Sequence, residues 1–349
     1  MVLLAGGGTA LFRREDTGTA IIIVAMLIAG AAMGTLWLFR QWYYRGAALN
    51  ASLWEQDVKS AQQLWWAQHQ QQFGLSEVVL IGPAGNCELD WIRVLRRESI
   101  PPGRRDEIIG SSLRIARTFS QDVDIREKQL ARMLVLQWMN QRQNQPPVLL
   151  EKCYWAGSIV AWKAFVQQMK ESCPNVVLPD EPKTWRGEET LAGLADIFSR
   201  ADPKTQILIA GCRSLPASAT ALLPAGESAV LWIVGAEGPA LLTRGETFSP
   251  LAAEVVLEVC QRAQAQSNLD EIPEYCMLFS QPDVPGLANC GWNIEQNLQD
   301  SYWGELGEMQ ALVTISLAAI FACTQKKACA WIATDPLNTL ALGIVTSHG

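Results

Sequence analysis

The side chains best suited to covalent chemistry in this sequence are nine cysteines: Cys87, Cys153, Cys173, Cys212, Cys260, Cys276, Cys290, Cys323 and Cys329. A thiolate is a strong nucleophile, but a thiol near its ordinary pKa of about 8.5 needs a base or a cationic neighbour to become one. Histidine is the usual base near neutral pH, and the chain has two. His69 lies in a glutamine-rich stretch, where solvation is expected, and His348 lies one residue from the C-terminus. The cysteines stand singly and none forms a CxxC, so the close ligand pairs of a zinc site are missing and no metal or cofactor is expected. Most of them read as small buried hydrophobes. In an exported domain, Cys153 with Cys173 or Cys276 with Cys290 are candidates for a disulfide, and the odd count leaves at least one cysteine without an intramolecular partner.

Carboxylates offer less. Glu305 and Glu308 stand at i and i+3 near an expected helix start; such a pair can do acid/base work, but first-turn acids also simply suit the helix dipole, which is the preferred reading. Asp335, before Pro336, reads as a turn residue. There is no GxSxG, P-loop or GxGxxG, and Gly6-Gly7-Gly8 belongs to a short tail rather than to a strand–helix unit. With a net charge of −7, and with Arg96–Arg97 and Arg104–Arg105 diluted by Glu98, Asp106 and Glu107, no nucleic-acid partner is expected. Of the fourteen tryptophans, most of those scattered beyond the anchor read as core; others would suit a contact surface or a sugar or lipid site, between which their number does not discriminate.

The elements that position these groups begin with a hydrophobic run. Thr19–Phe39 (TAIIIVAMLIAGAAMGTLWLF) holds 21 residues and no charge, and at 1.5 Å per residue it spans roughly 31 Å, the thickness of a bilayer's hydrocarbon core. Trp37, Trp42, Tyr43 and Tyr44 gather at its end, where amphipathic rings favour the headgroup region. A cleaved signal peptide would want a shorter run and a small-residue cleavage site, whereas aromatics and arginine follow here. The expected organisation is a tail over 1–18, a transmembrane helix over 19–39, a helical stalk over 40–75, and one α/β domain over 76–349 with halves of about 76–200 and 201–349. Within the membrane helix Gly30 and Gly34 form a GxxxG, a candidate helix–helix contact that would make a homodimer. Arg13 and Arg14 before the helix nearly balance Arg40 and Arg45 after it. The simpler topology keeps the short N-terminus in the cytoplasm of a bacterial inner membrane and the large domain in the periplasm.

Along the soluble part, strands are expected at Glu77–Gly82, from Pro146, at Cys173–Leu178, Gln206–Gly211, Ala229–Gly235, Pro273–Ser280, Ala328–Thr334 and Leu340–Thr346. Helices are expected at Asp122–Asn140, Trp155–Met169, Leu191–Arg200, Leu251–Ala263 and Gly307–Cys323. The last is a nearly uniform apolar helix of only about 13 apolar residues, too short for a second span and therefore a core helix. In Asp122–Asn140 the buried side is expected to carry Ile125, Leu130, Met133, Leu134 and Trp138. Uninterrupted apolar strands alternating with helices imply a sheet covered on both faces.

Three stretches, Leu191–Leu215, Leu223–Gly235 and Trp303–Ser347, together resemble the thiolase and β-ketoacyl-synthase superfamily. They match its helix, acidic loop and strand, its "GE" step into a strand, and its glycine-rich turn, buried helix and two closing strands. The resemblance implies a layered αβαβα fold of two similar halves behind the N-terminal transmembrane helix. It also implies a nucleophilic cysteine on a tight turn opening a helix, helped by histidine. Here that turn falls in Pro179–Glu189, which has no cysteine, and Gly304-Glu305 stands where the family places a histidine after glycine. The expected protein is therefore a membrane-anchored, non-catalytic thiolase-like adaptor that binds a protein partner. Its setting would be a bacterial envelope or secretion machine, of which the type VI secretion apparatus is one. The alternatives are a membrane-tethered acyl-binding or acyl-transfer enzyme using one of the cysteines or the Glu305/Glu308 pair, and a structural membrane subunit dimerising through its helix.

Overall fold

The computed structural model describes residues 19–142, 150–335 and 340–348; the tail over 1–18 and the expected strand start at Pro146 lie outside them. The chain divides into two units, one ending at Trp66 and the other beginning at Ala67. Thr19–His69 is a single helix, α1, of about 76 Å at 1.5 Å per residue. The expected membrane segment and the expected stalk as far as His69 are thus one uninterrupted helix, whereas the stalk's last residues, Phe73–Leu75, belong to the first strand of the second unit. The helix has no proline in its sequence to stop it.

In the second unit β1 (Phe73–Ile81), α2 (Glu88–Leu95), the short hairpin β2 (Arg105–Glu107) and β3 (Gly110–Ser112), and α3 (Val123–Arg142) come first. Then follow β4 (Leu150–Ala156), α4 (Ile159–Ser172), β5 (Lys183–Thr184), α5 (Glu188–Phe198), β6 (Gln206–Ser214) and β7 (Glu227–Gly235). The chain closes with β8 (Ala240–Leu242), β9 (Glu246–Phe248), α6 (Val256–Gln266), β10 (Tyr275–Leu278), α7 (Asp300–Trp303), α8 (Gln310–Gln325), β11 (Cys329–Thr334) and β12 (Leu340–Ser347).

Ten strands form one sheet in the order β10-β11-β12-β8-β1-β7-β6-β4-β5, with β9 also on β12. The order repeats itself. In the first half β5, β4 and β6 run parallel, and the last strand, β7, lies antiparallel between β6 and the first strand, β1. In the second half β10 and β11 run parallel, and the last strand, β12, lies antiparallel between β11 and the first strands, β8 and β9. The halves join where β1 pairs with β8. The boundary therefore falls between Gly235 and Ala240 rather than at 200/201. The first half closes only when β6 and β7 come back beside β1, a long-range pairing that local pattern does not carry.

Strand alternation sorts the side chains into layers. Ile207, Ile209, Val230, Trp232, Cys329 and Trp331 enter one core with α2, α5 and α8. Their neighbours Leu208, Ala210, Leu231 and Ile233 face the opposite way, onto α3 and α4, and Ala330 and Ile332 face α6. The layers read α3/α4, first half, α5/α8, second half, α6, the expected αβαβα arrangement. This places α8 in the middle layer and explains its uniform apolarity, since a helix walled on every side has no face for polar residues. Its own hydroxyls are satisfied locally: Thr314 Oγ1 donates to the Gln310 carbonyl at 2.8 Å, and Ser316 Oγ, which accepts from Trp232 Nε1 at 2.8 Å, donates to Leu312 O at 2.7 Å.

Some expected elements moved. Cys173–Leu178 is not a strand; the edge strand is the two-residue β5, because the segment before it packs Val176 and Leu178 onto the α3/α4 core. The expected helix at Trp155 starts only at Ile159, after Trp155 has served in β4, and Ser158 Oγ caps it by accepting from Ala161 N at 3.2 Å. In α3, Leu130, Leu134 and Trp138 are buried as expected, but Ile125 is exposed and its neighbours Arg126 and Glu127 are buried instead.

Candidate functional site

The two repeats place α5 and α8 equivalently, each leading into its half's penultimate strand, and their N-terminal turns are where the resemblance locates chemistry. At α5 the chain turns through Gly187 (φ 57°), and a Cβ there would also approach Asp335 Oδ2 to 3.5 Å. Arg186 N donates to Thr190 Oγ1 at 2.9 Å to cap the turn. The first helical residue, Glu188, is held above the ordinary carboxylate range: burial disfavours its charge first, Glu246, Asp335 and Glu189 add repulsion, and Arg244 offsets part of it. Glu246 is itself engaged by Arg262 Nη2 at 2.8 Å and by Gln266 Nε2. This turn is a cluster of acids countered by arginines, with neither thiol nor imidazole in it.

At α8, Gly304 (φ 68°) is required twice over, by its backbone conformation and because a Cβ would meet the Pro224 carbonyl oxygen at 2.3 Å. The close approach lets Glu305 N donate to Pro224 O at 2.8 Å and Gly226 N donate to Glu305 O at 2.9 Å. The Glu305 side chain is exposed and accepts from Gly307 N at 3.1 Å, so it finishes a turn. Glu308 is exposed as well. Gln310 at the head of α8 is buried, and its Oε1 accepts from Thr334 N at 3.3 Å and from Thr334 Oγ1, latching the helix to the end of β11.

A substantial cavity lies elsewhere. About 640 Å³ opens beside the middle of β1, between α2, the C-terminal end of α3 and α8, walled by Leu75, Val78, Trp91, Ala319 and Ile320. A bulge in β1 between Leu75 and Glu77 accompanies it. At its edge Arg142 Nη1 pairs with Glu77 Oε1 at 2.5 Å, and Trp138 Nε1 donates to Glu77 Oε2 at 2.7 Å. Cys87, the N-cap of α2, lines the same cavity and donates its Sγ proton to Asp90 Oδ2 at 3.1 Å.

No protein-family model matches this sequence, and no curated protein sequence matches it. Solved structures do. An ishigamide ketosynthase/chain length factor matches 80% of this chain and 100% of its own, with a TM-score of 0.56 at 14% identity. The module 6 ketosynthase of the bacillaene synthase of Bacillus subtilis matches 80% of this chain and 71% of its own, with a TM-score of 0.57 at 8% identity. A Xenorhabdus doucetiae ketosynthase in complex with its chain length factor matches 80% and 98%, with a TM-score of 0.50 at 10% identity. The fold is thiolase-like. At such identities the likeness speaks for the fold alone.

Within this thiolase-like body none of the nine cysteines is activated. All nine are free thiols, so the candidate pairs Cys153/Cys173 and Cys276/Cys290 are unbonded. Burial pushes every one of them up, Cys153 to about 12 and Cys212, Cys260, Cys276 and Cys329 far above the ordinary range. Cys173, Cys290 and Cys323 shift the same way for the same first reason. Cys87 is the most exposed to activation, because a helix N-terminus lowers a thiol's pKa. Burial and the hydrogen bond to Asp90 reverse that and raise it. Asp90 is lowered: burial opposes this, but the donated bonds from the Cys87 thiol and from Asn86 and Cys87 N–H outweigh it. His69, expected in solvent, is half-buried, with Nε2 at 3.5 Å from Arg244 Nη1, whose Nη2 holds Asp196 Oδ1 at 2.5 Å.

Of the residues singled out in the first unit, Trp37, Trp42, Tyr43 and Tyr44 are exposed, and nothing approaches a Cβ built on Gly30 or Gly34 within 4 Å. The sequence reading missed a buried ionic network. Glu227, fully buried at the start of β7, lies 3.0 Å from Arg126 Nε and 3.6 Å from Arg114 Nη1 and accepts from Ser214 Oγ, Thr118 Oγ1 and Ile115 N. Glu127 beside it accepts from Ser158 Oγ at 2.5 Å. These groups pin the 113–120 segment and α3 to the ends of β6 and β7. The one sequence signal was an acid opening an otherwise apolar strand, Glu227–Gly235.

Proposed function

We propose that this chain is a membrane-anchored, non-catalytic thiolase-like protein that binds a protein partner. The observation that carries the reading is the state of the thiols. The turn opening α5 presents Gly187 and Glu188 rather than a cysteine, Glu305 stands in place of the family's histidine, and burial holds all nine cysteines protonated. A thiol without thiolate character is a poor nucleophile. The fold then supplies a rigid surface, and one neighbour is itself a ketosynthase in complex with a protein, its chain length factor. The uncharged run Thr19–Phe39 supports an anchor. A bacterial envelope or secretion machine, with the domain on the periplasmic side of the inner membrane, is the proposed setting.

A second reading rests on the cavity beside Cys87, which would suit a membrane-tethered acyl-binding or acyl-transfer enzyme. Incubating the full chain with a thiol-reactive acyl probe separates the two. The proposal expects no cysteine to label stoichiometrically and a protein partner to co-purify from solubilised membranes. Fast stoichiometric acylation of a single cysteine would overturn it.

A further inference from the structure

The part of α1 beyond the apolar run carries a seven-residue repeat. Tyr44, Ala47, Ala51, Trp54, Val58 and Ala61 follow one another at alternating spacings of three and four, which on a helix confines them to one sector about 100° wide. All six are exposed, Trp54 at 72%. A period of 3.5 is that of a left-handed coiled coil, in which first and fourth positions of each heptad form the seam. Leu53 and Leu64, grouped with Trp54 and Val58 by their apolarity, lie well off this sector.

From this repeat we infer that two copies of the chain pair through a parallel coiled coil over residues 44–61. The parallel sense rests on the membrane reading, since two helices anchored the same way in one bilayer leave it side by side and co-directed. The flanking positions favour a second copy in register. In a parallel pair each last position of a heptad faces the fifth position of the next heptad on the partner helix. That sets Asn50 of one copy against Glu55 of the other, and Asp57 against Gln62. Each carboxylate meets an amide that can donate to it, and no like charges meet. Three of the six seam residues are alanine, which lets the helices approach closely, while Trp54 and Val58 supply buried area. Gly30 falls in the same seam, one heptad pair before Tyr44, but Gly34 lies beside it. The left-handed repeat, rather than a right-handed GxxxG crossing, therefore sets the contact.

The test is oxidative crosslinking of the full-length protein in native membranes. A disulfide needs Cα atoms within about 7 Å. Ala51→Cys and Ala61→Cys in the seam are expected to give covalent dimer at about ten times the yield of Gln56→Cys and Gln63→Cys on the back of the helix. The parent chain, whose nine thiols are buried or half-buried, supplies the background. Equal yields at seam and back positions, or no dimer above background from either seam variant, overturns the inference. Dimers of the seam variants with a different, larger protein in place of the doubled mass would overturn it in favour of a foreign helix. Alkaline carbonate extraction of the same membranes separates the two readings. Release of the chain refutes the anchor while the crosslinking pattern still reports on the seam.

Discussion

Replacing Asp90 by asparagine should make Cys87 more reactive, and the size of the gain follows from the geometry of the α2 N-terminus. In the native chain the Cys87 thiol donates to Asp90 Oδ2 at 3.1 Å, and the carboxylate's charge lies beside it; with burial as the first cause, these raise the thiol above its ordinary value. A thiol at an ordinary value of about 8.5 is about 3% ionised at pH 7, so Cys87 should sit below that. Asp90→Asn removes the negative charge while keeping the shape, leaving burial against the helix N-terminus. A fall of one pKa unit raises the thiolate fraction about tenfold. The intrinsic nucleophilicity of the thiolate falls with its pKa, with a slope of about 0.4–0.5, so the net gain at pH 7 is about threefold per unit. The assay is the pH dependence of iodoacetamide labelling at Cys87, followed by peptide mass spectrometry. The expected result is a native inflection above pH 9 that moves down in the variant, with faster labelling at pH 7. A native inflection at or below pH 7 would refute the protonated-thiol argument. Unchanged or slower labelling in Asp90→Asn would refute the role given to the carboxylate.

Glu227→Ala should leave Arg114 and Arg126 buried without their shared counterion. Breaking such a network costs about 3–5 kcal/mol; over roughly 280 folded residues at about 2.1 cal/mol/K each, Tm should fall by about 5–8 °C. A calorimetric shift under 2 °C would remove the network from the account of stability. Glu188 has a raised carboxyl pKa, so the folded state holds its proton more tightly than the unfolded chain, and stability is lost as pH rises from about 4.5 through the folded value. Glu188→Gln should therefore raise Tm at pH 8 and leave it unchanged near pH 4; an equal effect at both would point to packing instead. Gly304→Ala combines a φ of 68° with a Cβ contact of 2.3 Å on Pro224, so it should abolish folding of the second unit or lower its Tm by more than any surface substitution. A near-native melting curve would refute the stated geometry.

Much of the fold was legible in the chain, because its signals are local. The uncharged Thr19–Phe39 run, the all-apolar stretch Ala229–Gly235, the uniform helix α8, and the closing strands β11 and β12 each declare themselves by length and period. The glycine at 304 also announced a special turn. Other features depend on residues distant in sequence. The first half extends to Gly235 because β7 returns to β1 across some 150 residues, and no local pattern marks that pairing. Arg126 and Glu127 read as the solvent face of α3, yet burial is affordable there because Glu227, Ser214 and Ser158 arrive from elsewhere to satisfy them. The same holds for the thiols. The sequence alone established that histidine was scarce and that the α5 turn lacked cysteine. Only the tertiary structure decided that each of the nine cysteines is buried enough, or in the case of Cys87 close enough to a carboxylate, to keep its proton.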